Sequence, residues 1–251
     1  MTTSKRIHLG LLCLVFLCAC LFTVYWAAVW LSRGDILPAL VALGATLFCL
    51  DLGFHMTYVA VDAAVPRTNY GPEGTVIRPQ RYVDLMFGVS SLASALAAAL
   101  CLAMAAFGAD VDAVPATAQR GALSLSPFLL LFGGWGFYGM LKHRGGESYL
   151  RLTPHGFESW NGHWCSFQQN SWDEVEQILD HVPKRKRIRR GMVVFALPED
   201  RYAMEITDTM THDSDALRDW VRFYWQHPDH RGELVDERAL RRLEERQFTV
   251  G

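Results

Sequence analysis

The chain has 251 residues, 24 Lys and Arg against 26 Asp and Glu, and 51% hydrophobic residues. A formal charge of −2 excludes a nucleic-acid binder that works through net positive charge. The averages hide two materials, because residues 1–141 carry 14 charges whereas residues 142–251 carry 36.

Residues 9–31 contain no charge, and at ~1.5 Å per residue they are long enough to cross ~30 Å of hydrocarbon. Lys5 and Arg6 before this run, and the Leu17-Cys18-Ala19-Cys20 string inside it, resemble a cleaved leader. The apolar run continues past that string, so it reads as an uncleaved helix. Residues 38–61, 83–107 and 123–141 form three further spans. The expected first domain, 1–141, is therefore a four-helix transmembrane bundle.

Orientation follows from basic residues. Lys5, Arg6, Arg67, Arg78, Arg81, Lys142 and Arg144 fall on one side of such a bundle, and only Arg33 and Arg120 on the other. Both termini are expected in the cytoplasm of a multi-pass cell-membrane protein. Of six cysteines, five lie within spans and Cys165 in the tail; with no CxxC pair, neither a disulfide framework nor a cysteine-built zinc site is expected.

Asp51, His55, Tyr58 and Asp62 are spaced i, i+4, i+7 and i+11, on one face of the second span. Asp51 lies near the middle of that span, where an Asp costs ~2.5–3.5 kcal/mol on insertion scales. Asp84 opens the third span, with Gly88 and Ser91 on its face. Asp51, His55, Tyr58 and Asp84 make the candidate intramembrane polar cluster, with Asp62 set aside as interfacial. Three roles are open to it: a proton or ion path, metal ligation, and interhelical hydrogen bonding. Small residues at Ser91, Ala95, Ala99 and Ala103, with Ser94, Ala98 and Ala106 beside them, mark a helix-packing face.

After Lys142 the period becomes that of strands. Tyr149-Leu150-Arg151-Leu152-Thr153 alternates, and Asn161-Gly162 marks a hairpin between 157–160 and 163–167. Residues 171–175 lead into another strand-like stretch at Ile178, Leu179 and Val182. Residues 192–197 and 202–206 pair around Pro198-Glu199-Asp200. Residues 213–226 form an amphipathic helix with Leu217, Trp220, Val221 and Tyr224 as its stripe. The fold class expected is an α+β membrane protein, its cytoplasmic part an antiparallel barrel or sandwich capped by a helix.

The string from Tyr149 through Thr153-Pro154-His155-Gly156 to Phe157, then Ser171-Trp172-Asp173-Glu174-Val175, then the amphipathic helix, resembles the bacterial pleckstrin-homology-like domain. Residues 227–234 resemble the segment that follows this helix in actinobacterial relatives. The likeness covers 147–226. It implies a half-open barrel with a binding or scaffolding role and supplies no catalytic residue or cofactor.

Lys184, Arg185, Lys186, Arg187, Arg189 and Arg190 form a basic run between two strands. Beside anionic phospholipid headgroups each contributes ~1 kcal/mol. The alternatives are a solvated loop pairing with Glu174, Glu176 and Asp180, or a protein or nucleic-acid partner. His227 and His230 follow the helix in a proline turn and read as solvated. Residues 227–251 form a charged tail, helical over 236–247, with Ala239, Leu240 and Leu243 on its narrow apolar side. No phosphate loop, HExxH or carboxylate pair is present. The expected function is non-enzymatic: binding, scaffolding or assembly at the bilayer, with headgroups, a protein partner or a second copy as partners and nucleic acid excluded. The alternative is a small transporter or ion-conducting subunit using Asp51 and His55.

Overall fold

In the computed structural model the apolar runs become four helices: α1 Thr3–Arg33, α2 Ile36–Ala60, α3 Arg81–Ala106 and α4 Ala116–Lys142. The structure describes residues 3–108, 116–142, 147–163, 165–183 and 191–249. Among them four helices are long and apolar enough to cross a membrane, and each expected span lies along one of them. The chain divides into two compact units. One is Met1–Ala60 with Leu85–Gly146, and the other is Val61–Asp84 with Glu147–Gly251.

In the first unit, α1 and α2 pack through Ala27, Trp30, Ala39 and Ala42. Thr46 Oγ1 lies 2.8 Å from Thr23 Oγ1, a polar link between the same helices. At Gly44 a Cβ would come within 2.5 Å of Ala97 Cβ and 2.8 Å of the Ala93 carbonyl, so glycine sets how closely α2 approaches α3. On α4 every third residue at Gly133, Gly136 and Gly139 is buried, while Leu131, Phe132, Trp135, Tyr138 and Leu141 are exposed. That second face suits hydrocarbon.

The second unit begins where a loop was expected. The connection between α2 and α3 forms a hairpin, β1 Arg67–Gly71 and β2 Gly74–Arg78. Gly74 has φ +114°, and a Cβ there would meet the Leu152 carbonyl at 2.2 Å, so the turn requires glycine on both counts. Strands β3 Tyr149–Leu152, β4 Gly156–Asn161 and β5 Ser166–Ser171 extend the same antiparallel sheet in the order β1-β2-β3-β4-β5. Strand β2 pairs with β3 through Thr75↔Leu152, Val76↔Arg151 and Ile77↔Leu150.

A second sheet, β6-β7-β8, is built from Gln177–Leu179, Met192–Leu197 and Arg201–Ile206. The turn between β7 and β8 puts Glu199 at φ 65° and Asp200 at φ 55°, the double left-handed geometry that matches strand twist in a tight hairpin. Helix α5, Ser214–Gln226, follows with Asp213 as its N-cap, the Asp213 carboxylate accepting from the Ala216 N–H at 2.9 Å.

The barrel expectation needs correction: among the described residues two separate antiparallel sheets are present, and they do not close into a barrel. Two local causes stand out. The outer edge of β3 is already taken by the hairpin. Residues Trp172–Glu174, which lead from the first sheet to the second, form a 3-10 turn, with the Ser171 N–H donating to the Glu174 carboxylate at 3.1 Å.

The core lies where the sheets and α5 meet. Phe157 of β4 stacks on Phe195 of β7 with ring centroids 3.6 Å apart, joining the two sheets. Leu217, Trp220, Val221 and Tyr224 of α5 complete it, and Ile77 of the hairpin is fully buried within it. The 227–251 segment also belongs here. A 3-10 segment, Pro228–Val235, and helix α6, Glu237–Glu244, bury Leu234 and Ala239 in the same core. The Trp220 indole N–H donates to the Ala239 carbonyl at 2.9 Å, and Thr75 Oγ1 donates to the Leu234 carbonyl at 2.7 Å.

Candidate functional site

The spacing on α2 sets the first cluster. Asp51 is 5% exposed, with the His55 Nδ1 3.3 Å from its Oδ1 one turn on. From α3, the Ser90 hydroxyl donates to Asp51 Oδ2 at 2.8 Å. Tyr58 is buried one further turn along, its ring stacked on Phe54 at 5.6 Å. Asp51 thus fastens α2 to α3 through a side-chain hydrogen bond within the bundle. Asp62 lies beyond the end of α2, exposed and at φ 51°.

Asp84 does not share this cluster's unit. It stands in the first turn of α3, in the second unit, where it accepts from the Ser148 N–H at 3.0 Å and the Ser148 hydroxyl at 2.9 Å. Ser148 Oγ in turn accepts from the Gly162 N–H at 3.1 Å, tying Asp84 to the ends of β3 and β4. His163 Nε2 lies 3.7 Å from Asp84 Oδ1. Serine, histidine and aspartate meet here, but the hydroxyl is bonded to the carboxylate rather than to the imidazole. That is not the arrangement of an activated nucleophile.

Beside this group lies a residue the sequence reading passed over. Glu205 on β8 is 1% exposed. Burial pushes its carboxyl well above the usual carboxylate range, with Ser159 and Asn161 pulling the other way and the Asp84 charge adding to the rise. The alternation Tyr202, Met204, Ile206 would put Glu205 on the outer face. Instead Met204 is exposed while Ala203 and Glu205 point inward. The three-residue turn Pro198-Glu199-Asp200 sets the register, placing Glu205 opposite Val193, and β7 is buried on both faces, so hydrophobic alternation does not choose the side.

A third network fastens the end of the chain. Arg242 grips Glu233 with two hydrogen bonds of 2.8 Å, and the Tyr224 hydroxyl donates to the same carboxylate at 3.1 Å. His230 Nδ1 lies 2.9 Å from Glu233, and His227 stacks on Phe223. Chiefly through the Arg242 bonds, the Glu233 carboxyl is held down at about 2, against the opposing effect of burial. Nearby, a cleft of about 380 Å³ opens between Val65 and Pro66, His212 and Asp213, and Leu240 and Leu243.

The basic residues Lys184, Arg185, Lys186, Arg187, Arg189 and Arg190 lie outside the described residues. The loop arginines expected to mark topology have partners within the second unit. Arg67 pairs with Glu147 at 2.9 Å, Arg81 with the same carboxylate at 3.2 Å, and Arg78 lies over the Tyr149 ring. Among the described residues no three His, Cys, Asp or Glu side chains come together as a metal-ligand set.

Because the Glu233 carboxyl titrates lower in the folded chain than its ordinary 4.5, its stabilisation is complete above about 4.5 and is lost as pH falls toward 2. Glu233→Gln is expected to remove up to ~3 kcal/mol at neutral pH and to flatten this acid limb. Thermal unfolding of the full chain in detergent, followed against pH, checks this; an unchanged acid limb in the variant contradicts it. No protein-family model matches the chain, and no curated protein or solved structure is significantly similar to it.

Proposed function

We propose that the chain is an integral cell-membrane protein whose second unit is a pleckstrin-homology-like module acting in binding, scaffolding or assembly at the cytoplasmic membrane surface. The observation that carries this reading is the hairpin 67–78. Because the α2–α3 connection supplies two strands of the module's sheet, the chain passes between the units at three points, 60/61, 84/85 and 146/147. Three covalent passages tie the module's chain to the spans, which supports a unit that works at the membrane surface. Two antiparallel sheets packed with a C-terminal helix are compatible with the pleckstrin-homology-like resemblance. The pairing of β2 with β3 supports a reading in which the α2–α3 connection and the segment after α4 share the side of the bilayer on which the even number of spans leaves both termini.

The ligands favoured are anionic phospholipid headgroups, recognised through residues 184–190, with a protein partner or a second copy of the chain as the assembly alternative. In nanodiscs, acetylation of Lys184 and Lys186 on the full chain is expected to slow several-fold when anionic lipid replaces part of a zwitterionic bilayer. The protection is expected to fade at about 0.5 M salt. Equal rates in both bilayers would remove the headgroup assignment.

A second reading, a small transporter or ion-conducting subunit, rests on buried Asp51 and the half-buried His55 beside it. The direct Ser90 bond to Asp51 favours helix fastening over a path. Fastening predicts that Asp51→Asn with His55→Gln lowers the thermal midpoint and leaves proton leak from proteoliposomes unchanged. A wild-type leak abolished by the double variant would establish the conducting role instead.

A further inference from the structure

The hairpin that completes the larger sheet also turns a row of positive charge outward. Ile77 is buried in the core, so its neighbours on β2, Val76 and Arg78, lie on the opposite face of the sheet. The register carries that face across the strands. Arg67 of β1 stands opposite Arg78, Arg151 of β3 opposite Val76, and Glu158 of β4 opposite Arg151. Tyr149 joins them one step beyond the Ile77↔Leu150 pair, with the Arg78 guanidinium 5.9 Å and the Arg151 guanidinium 5.6 Å from its ring centre. All of these residues belong to the second unit.

Arginines directly opposite each other on paired strands repel, and the carboxylates here do not answer them evenly. Arg67 and Arg81 share Glu147, at 2.9 and 3.2 Å. Arg151 lies 3.6 Å from Glu73 and 3.7 Å from Glu158, beyond hydrogen-bond reach, and Glu73 is 80% exposed. Arg78 has no carboxylate partner among the described residues. Four arginines thus meet three carboxylates, and the surplus charge is that of Arg78. The Tyr149 ring holds this cation in place without neutralising it. Arg78 is half-buried and its Nε is buried with no acceptor, which leaves its two Nη groups as the donors open to a ligand.

Position along the chain says what that ligand is. Arg78 stands three residues before Arg81, where α3 begins, so the backbone keeps the two within about 11 Å of each other. Helix α3 is one of the four long and apolar enough to cross a membrane. The headgroups of a bilayer that it crosses lie within reach of a long side chain tethered so close to its start.

We propose that Arg78, with Arg151 beside it, holds the phosphate of one anionic phospholipid on the outer face of the first sheet. This rests on the reading of the second unit as a binding module at the membrane surface, and it adds a fixed site to the attraction of residues 184–190. The two Nη groups donate to two phosphate oxygens, a paired geometry that a guanidinium supplies and an ammonium does not. The lipid's negative charge offsets the surplus on this face, Arg151 adds attraction at longer range, and Tyr149 fixes the direction of approach.

Calorimetric titration of the full chain in detergent with dioctanoyl phosphatidylglycerol tests this, with dioctanoyl phosphatidylcholine and inorganic phosphate as the other arms. Wild type is expected to bind the anionic lipid about 10-fold more tightly than the zwitterionic one, and equimolar inorganic phosphate is expected not to displace it. Arg78→Gln is expected to weaken the anionic lipid about 10-fold, and Arg78→Lys, which keeps the charge and loses the fork, by less. Arg33→Gln, which removes an exposed arginine at the end of α1, is expected to bind as wild type does. Should Arg78→Gln fail to fold, Asn69→Glu decides. Asn69 is exposed on the same face, diagonal to Arg78, so the new carboxylate is expected to occupy Arg78 and weaken the lipid as much. A wild type without preference for phosphatidylglycerol, Arg78→Gln or Asn69→Glu binding as wild type does, an equal loss in Arg33→Gln, or displacement by equimolar phosphate overturns the assignment. Lipid-dependent acetylation of Lys184 and Lys186 is read in parallel on wild type. Its absence removes the 184–190 assignment, while the titrations alone decide the Arg78 site.

Discussion

Backbone hydrogen bonds between residues 75–77 and 150–152 hold together parts of the chain that two long helices separate. Strand β3 has only four residues, and β4 alone would leave its other edge unpaired; β2 fills that edge and buries Ile77 in the core. Everything downstream leans on this pairing. Thr75 donates to the Leu234 carbonyl, so the segment after α5 is anchored to the hairpin as well as to the helix. Arg67 reaches Glu147, just before β3, closing the same junction from the side. A module assembled in this way cannot complete its larger sheet until the third and fourth helices have both been made, which makes its folding a late and non-local event.

Polar groups buried in the two units do different work. In the first, Asp51 meets Ser90 of a neighbouring helix and His55 one turn on, and Thr46 meets Thr23, so these polar groups fasten helices to one another. In the second, the Glu233–Arg242 pair is bidentate, backed by Tyr224 and His230, and its role is fastening. Glu205 differs from both. Its carboxyl is buried and pushed well above the usual carboxylate range, chiefly by that burial.

The helices were legible because 20-residue apolar runs bounded by charge leave few alternatives. Strands β3, β4, β7 and β8 and helix α5 were legible from alternation, turn residues and the Leu217–Tyr224 stripe. The hairpin was not. Strand β1 is Arg-Thr-Asn-Tyr-Gly and β2 has only Val76 and Ile77 as apolar residues, so neither carries a period of its own; they are strands because β3 offers an edge. Asp84 was grouped with Asp51 because both lie within apolar runs, yet its partner Ser148 is far along the chain and no local pattern points to it. Glu205 was hidden by an alternation whose faces are assigned by the turn and not by hydrophobicity.

The central claim is that the connection between α2 and α3 is part of the module's sheet. Disulfide formation in native membranes tests it directly, with Val76→Cys and Arg151→Cys introduced together and Cys165→Ser in the background. Facing residues on adjacent antiparallel strands lie ~5 Å apart, within disulfide reach after slight adjustment. The pair Asn69→Cys with Arg151→Cys spans two strand spacings, about 10 Å, and is out of reach. Peptide mapping is predicted to find the 76–151 link in high yield under mild oxidant and the 69–151 link absent. No link at 76–151, or equal yields from both pairs, would contradict the shared sheet and the account built on it.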